Sequence, residues 1–294
     1  MHVTVSTSFV PSSGWRPRSA GFTMIELAVA LVVIAILLGS ILVPLNTQVE
    51  TRKYDETQRV LERAREALIG YAAATGRFPC PASSTSNGAE AFFTPGGSAT
   101  NGLCHSSVTT AATSVYAGFL PAATLGITPV DNNGYAVDSW PQWSIGGVPQ
   151  NRIRYAVSFQ SVNSTSNCTA TPVTLPFTKL SGMRNASMSC VVGTSLLNVC
   201  NTAAGSTPTS CAAGATLTSN AIVVIWSLGP NAATSGGVSA EEAKNSQAFT
   251  STDRVFVSKI KSGGPGDANE FDDLVTWISP PLLFNRMIAA GQLP

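Results

Sequence analysis

Few side chains in this chain are able to do chemistry, and most of those are carboxylates and cysteines. The two histidines are His2 and His105, the latter in a Gly-Leu-Cys-His-Ser-Ser stretch. There is no G-x-S-x-G, no H-E-x-x-H and no glycine-rich phosphate loop after a strand. A Ser–His–Asp site would therefore have to be built on His105, and the expectation is that the chain is not an enzyme. Paired carboxylates are the other route to acid–base catalysis. The densest acidic group is Asp267-Ala-Asn-Glu270-Phe-Asp272-Asp273. It reads as a solvated acidic turn or as oxygen ligands for a hard cation such as Ca2+. The cysteines are Cys80, Cys104, Cys168, Cys190, Cys200 and Cys211, with no C-x-x-C and a closest spacing of ten residues. That spacing disfavours a thioredoxin-like redox site and a zinc knuckle. An even count predicts three disulfides in an oxidising compartment.

The charges are sparse and unevenly placed. Of 294 residues, 17 are Lys or Arg and 16 Asp or Glu, or 11 %, against roughly a quarter in an ordinary soluble protein. Glu50 to Glu66 holds ten charges in seventeen positions, while Ala82 to Asn220 holds seven in 139. A net charge of +1 gives no clustered Lys and Arg for phosphate contacts, so no nucleic-acid partner is predicted.

The first 21 residues are polar and carry only Arg16 and Arg18 as charges. Gly21-Phe22-Thr23-Met24-Ile25-Glu26 follows, then an uncharged apolar run to Val43 and Pro44. The 22 residues from Phe22 to Val43 make about 33 Å of helix, enough for a bilayer core of roughly 30 Å. Arg16 and Arg18 precede the span, which predicts a cytoplasmic N-terminus and an exported remainder. A cleaved secretory signal peptide is the alternative. Against it, no A-x-A site follows the apolar run, and Glu26 sits at its mouth. An intramembrane carboxylate costs several kcal/mol unless it finds a cation.

Gly21-Phe22-Thr23-Met24-Ile25-Glu26-Leu27 resembles the processing site of type IV prepilins and of the pseudopilins of type II secretion systems. The resemblance implies cleavage by a prepilin peptidase between Gly21 and Phe22, N-methylation of Phe22, and assembly with other pilin or pseudopilin subunits. It also gives Glu26 a partner, the N-terminal amine of a neighbouring subunit. A buried amine and a buried carboxylate are each costly alone and cheaper together. Gly76-Arg77-Phe78-Pro79-Cys80-Pro81-Ala82 also resembles a large subgroup of prepilin-like proteins.

Beyond Pro44 the chain stays helix-forming through Thr75. Val60, Ala64, Ala67, Leu68, Tyr71, Ala72 and Thr75 form one stripe, so residues 46–59 are expected to project as a stem. Gly76 is placed to end the helix, and Pro79 and Pro81 prevent its continuation. Four segments read as strands of one antiparallel sheet: 152–159, 221–226, 254–257 and 274–278. Of these, 152–159 alternates as a half-buried strand, and a short helix over 282–290 follows the last.

The expected fold is therefore α+β, a lollipop: leader 1–21, membrane-spanning helix 22–45, stem 46–76, and an exported head 77–294. Its sheet would pack on the helix, with irregular insertions at 82–115 and 161–220. The Cys80–Cys104 pairing is expected for the first insertion, with the other four cysteines tying down the second. Ser227-Leu-Gly-Pro-Asn231 and the later Asp272-Asp273-Leu274 resemble the calcium loop of major pseudopilins. The resemblance implies Asn231, Asp272 and Asp273 as candidate ligands of Ca2+, with Asn231 where an aspartate is usual. Asp138-Ser139-Trp140 resembles the Asp-Pro-Trp-Gly turn of the same proteins. The resemblance implies a subunit of a type IV pilus or a secretion pseudopilus, and a head larger than a compact major pseudopilin's favours a minor subunit. It would sit in the inner membrane with a periplasmic head. A tethered binding domain or enzyme that does not assemble is the alternative.

Overall fold

The computed structural model describes residues 21–105, 115–142, 144–159, 177–185, 196–232, 239–247, 249, 252–264 and 266–292. For 38–47 and 185 it gives the helix without the side chains. Residues 1–20 of the expected leader 1–21, Cys168 and Cys190 lie outside this set. The chain divides into two compact units, Met1–Glu50 and Thr51–Pro294.

Helix α1 (Met24–Thr75) contributes to both units. In the first unit Phe22, before the helix, is 82 % exposed, and the helix's own Met24 is 92 % exposed. Among the described residues no helix is long and apolar enough to cross a membrane. The span expected over residues 22–43 runs into 38–47, whose side chains are outside the description.

In the second unit the elements are β1 (Val115–Phe119), α2 (Ala122–Leu125), β2 (Ser144–Ile145), β3 (Val148–Pro149), β4 (Arg154–Ser158), α3 (Gly182–Asn185) and β5 (Leu197–Cys200). They continue with β6 (Thr216–Ala221), β7 (Val223–Ser227), α4 (Ala240–Asn245), β8 (Val255–Val257), β9 (Leu274–Ile278) and α5 (Pro280–Ala289). The main sheet has the order β1-β4-β7-β9 and is antiparallel throughout. One face, with Tyr155, Val157, Val223, Ile225 and Ile278, shares a core with the α1 stripe and with Leu283, Phe284 and Met287 of α5. The other face, with Ala156, Val224 and Trp226, packs on Leu197, Val199 and Phe256. The sheet is thus buried on both sides. This is why the run at 221–226 is apolar without alternation.

Four expectations are corrected. Residues 255–257 do not join the main sheet; β8 pairs in parallel with β5 in a second sheet ordered β6-β5-β8. The fourth strand of the main sheet is β1, at the edge of the stretch read as an irregular insertion. Residues 197–200 and 216–221, inside the other expected insertion, are strands as well. β4 is fully buried rather than half-buried, because the second sheet covers the face that its polar residues suggested was wet.

The fourth correction concerns the stem. Burial along α1 begins at Thr57 and continues through Val60, Leu61, Ala64, Leu68 and Ala72. Before that, the Tyr54 ring meets Trp140 edge-on at 4.9 Å and lies under Lys261 at 4.2 Å. Residues 54–59 are therefore attached to the head rather than projecting from it. Thr57 Oγ1 accepts a 3.2 Å hydrogen bond from the Ser139 N–H.

The helix ends where the glycine predicts. Gly76 has φ +72° and its N–H bonds to the Ala72 carbonyl at 2.8 Å, an αL termination that costs glycine little. Each residue after it has a buried partner. Arg77 meets Glu90, Phe78 N–H bonds to Phe177, the Pro79 carbonyl accepts from Tyr155, and Cys80 is bonded to Cys104.

Candidate functional site

The residues singled out by sequence gather in two places. The first is the start of α1. Gly21 lies before the helix, and a Cβ added there would meet nothing within 4 Å. Thr23 and Glu26 form a reciprocal N-terminal cap. The Thr23 N–H and Oγ1 donate to Glu26 Oε2 at 3.4 and 3.5 Å, and the Glu26 N–H donates to Thr23 Oγ1 at 3.3 Å. The signal for this cap, Thr-x-x-Glu, is plain in the sequence. Reading Glu26 as a membrane cost and as a partner for a neighbouring amine passed it over.

The second place is in the head, where β7 and β9 lie side by side and their loops meet α4. Oxygens of Glu242, Asp272 and Asp273, all buried, lie within 4.8 Å of one another. Ser239 caps α4 through its Oγ, which accepts from the Glu242 N–H at 3.3 Å, and this fixes the first turn that carries Glu242. Asp273 Oδ2 accepts from Asn245 Nδ2 at 2.8 Å. Burial, reinforced by Glu242, Asp273 and Glu270, pushes the Asp272 carboxyl up to about 8. Burial likewise pushes Asp273 up to about 8, with Asn245 and Arg154 opposing. Arg154 is itself pushed down to about 10 by burial.

Asn231 reaches this cluster in a different role from the one expected. Its Nδ2 donates to both carboxylate oxygens of Glu242, at 2.9 Å each. It stands here as a hydrogen-bond donor to Glu242. The third carboxylate is Glu242, which the sequence reading missed. Its signal was Ser239-Ala-Glu-Glu242, the spacing of a helix cap. Asp267 does not join the group. It closes an exposed turn by accepting from the Gly264 N–H at 2.7 Å.

The donor set fits a hard cation. All three groups are carboxylates, the ligands that Ca2+ prefers. One oxygen of each lies within 4.8 Å of the others, a spacing compatible with shared ligation of one such ion. Asp272 Oδ1, in a residue only 3 % exposed, has no hydrogen-bond partner among the described residues. A buried orphan oxygen is costly unless something binds it. Glu242, Asp272 and Asp273 would hold the ion, whose role there is charge neutralisation and cross-linking.

The cysteines do not enter either place. Cys80–Cys104 and Cys200–Cys211 are disulfides, and no described cysteine is free. His105 is exposed beside Cys104.

Residues 16–42 match the family model of the prokaryotic N-terminal methylation motif. The match is consistent with the type IV prepilin and pseudopilin family, and it spans Gly21, Phe22 and Glu26. It implies processing by a prepilin peptidase and partners of pilin type. No curated protein and no solved structure matches the chain.

Proposed function

We propose that the chain is the precursor of a prepilin-like structural subunit without enzymatic activity. It is cut between Gly21 and Phe22, methylated at Phe22, and assembled as a minor subunit of a type IV pilus or type II secretion pseudopilus. The methylation motif over residues 16–42 carries this reading. Two features support it. A side chain at 21 would meet nothing within 4 Å, and a peptidase that reads the backbone there would favour glycine. Phe22, Met24 and Ile25 are exposed apolar side chains, and such a surface stays in water only at a cost of roughly 25 cal/mol per Å2. The membrane, and then neighbouring helices in a filament, would cover it. In that setting Glu26 would neutralise the amine of the adjacent subunit. The precursor would lie in the inner membrane with a periplasmic head.

The test is the mass of the mature N-terminus from cells that carry a prepilin peptidase. An N-methylated Phe22 is the expected result, and an intact Met1 or a cut after the apolar run overturns the reading. Glu26→Val should still insert in the membrane but fail to enter filaments. Incorporation at the normal level would leave a tethered domain as the better account.

A further inference from the structure

We propose that β9 is a docking edge for a second copy of this chain, whose own β9 pairs with it antiparallel about Thr276. The contact lies in the head and is independent of the processing read from the N-terminal motif.

The hydrogen-bond alternation of the main sheet fixes which groups face its edge. The Leu120 N–H bonds to the Ile153 carbonyl, and the Ser158 N–H bonds to the Ile222 carbonyl. Ile153, Tyr155 and Val157 therefore address β1, while Arg154, Ala156 and Ser158 address β7. Carried through the register of β7 with β9, the alternation has Leu274, Thr276 and Ile278 bonding inward to β7. The N–H and C=O groups of Val275 and Trp277 point out of the sheet edge. Among the described residues those groups have no hydrogen-bond partner, and both residues are partly exposed.

Each other edge carries a device against pairing. At β1, Phe119 exchanges both backbone bonds with Ala82, at 2.8 and 2.9 Å. At β8, the Asn245 amide bonds to the N–H and to the carbonyl of Val257, at 2.9 Å each. The β5–β6 ladder is interrupted by register shifts. Just before β9, Ser262 covers the same edge at Phe271. Beyond that point Leu-Val-Thr-Trp-Ile pairs with β7 in unbroken register. It has none of the charges, prolines or bulges by which edge strands resist an incoming strand.

The sequence of β9 fits its own copy. With Thr276 on a two-fold axis, Val275 meets the partner's Trp277 and Trp277 meets the partner's Val275. Both are hydrogen-bonded positions, which gives about four intermolecular bonds. Thr276 meets the partner's Thr276, and Leu274 meets the partner's Ile278. Aromatic with β-branched and Thr with Thr are among the cross-strand pairs that stabilise a sheet. A charged strand would instead set its charge against Val275 and Trp277, which offer no counter-charge. Val275 and Trp277 both border the core under the second sheet, so the pairing keeps that face continuous and joins two four-stranded sheets into one. Such an isologous contact closes at two copies.

Sedimentation and cross-linking of the full chain in detergent test the proposal, with the micelle holding the apolar N-terminal residues. The wild type should sediment as a dimer. At the non-hydrogen-bonded position the two Thr276 Cα atoms would stand about 4.5 Å apart, within disulfide range. Mild oxidation of Thr276→Cys should therefore give a covalent dimer in which peptide mapping finds the two 276 positions joined. Val275→Pro removes an N–H that the single chain does not use. It should melt like the wild type and raise the dimer dissociation constant by about tenfold or more. Trp277→Glu, which sets a carboxylate against the partner's Val275, is the second variant and should weaken the dimer in the same way. A wild type that sediments as a monomer overturns the proposal. So does a dimer that persists at wild-type strength in whichever of the two edge variants folds, because the contact then lies elsewhere.

Discussion

Ser227 Oγ donates a 2.6 Å hydrogen bond to Asp138 Oδ2, joining residues 89 apart in sequence. Both are buried. The same Ser227 oxygen accepts from the Gly229 N–H at 3.1 Å, and Asp138 Oδ1 accepts from the Trp140 N–H at 3.1 Å. The pair therefore ties the turn before β4 to the loop that leaves β7 for the carboxylate cluster. Trp140 in turn meets Tyr54 of α1, so one polar contact connects the helix to the cluster loop.

That pair has a pH dependence. Burial pushes the Asp138 carboxyl up to about 7, against bonds from Ser227 and Trp140 that favour its charged form. The folded value lies above the ordinary 3.8, so the fold prefers the neutral acid. The contribution is fully present below about pH 4 and is lost as pH rises through about 7. Urea unfolding in chelator should show wild-type stability falling from pH 5 to pH 8 more steeply than that of Asp138→Asn. Parallel profiles for the two proteins would mean that Asp138 is not protonated in this range.

Gly229→Ala should damage the cluster loop. Gly229 has φ +67°, and an added Cβ would lie 2.7 Å from the Asp272 carbonyl oxygen and press on Asp272 Oδ1. Neither the backbone nor the buried carboxylate has room to yield. The expected cost is about 2–4 kcal/mol in denaturant unfolding. Most of the calcium-induced stabilisation should go with it. A loss under about 0.5 kcal/mol, the size of an ordinary surface change, would show that the loop is softer than its packing suggests.

The contrast between what the sequence reveals and what it hides follows from range. Helix α1 and its end at Gly76 are legible because their signals are local: an apolar stripe, an αL glycine and two prolines. The central strands are legible because burial makes them apolar. The partner of each strand is not legible. Val255–Val257 carries the same pattern whether it joins the main sheet or pairs with Leu197–Cys200, and only the second core decides. The cluster shows the same limit. Asp272 and Asp273 stand out as neighbours, whereas Glu242 comes from an element thirty residues away and Asn231 differs from a ligand only in which amide atom faces inward.

The Cys80–Cys104 disulfide closes a loop with a sequence separation of 24, directly after the end of α1. In the chain-entropy account a loop of this length contributes about 3 kcal/mol. Cys80→Ser with Cys104→Ser should lower unfolding stability by about that amount, and added reductant should then change the variant less than the wild type. Equal stability of the two proteins would show that the packing of Phe78 and Arg77 alone holds this segment.

The last prediction concerns the buried ion pair beside that disulfide. Arg77 Nη1 and Nη2 meet Glu90 Oε2 and Oε1 at 2.8 Å each, Nη2 also donates to Tyr71 OH at 2.8 Å, and the Cys80 N–H donates to Glu90 Oε2 at 3.2 Å. Side-chain exposure is 6 % for Arg77 and 15 % for Glu90. Removing one partner strands a charge in a site that water barely reaches, so Glu90→Ala should cost about 3–5 kcal/mol. Replacing both at once, Arg77→Met with Glu90→Leu, removes the charge as well as the contact. The double variant should therefore be more stable than Glu90→Ala. A double-mutant cycle in urea separates the cases. Coupling near zero would place the strength of this corner in the disulfide and in Tyr155, whose hydroxyl donates to the Pro79 carbonyl at 3.0 Å. Strong coupling would make Arg77 the residue that fixes where α1 stops and the head begins.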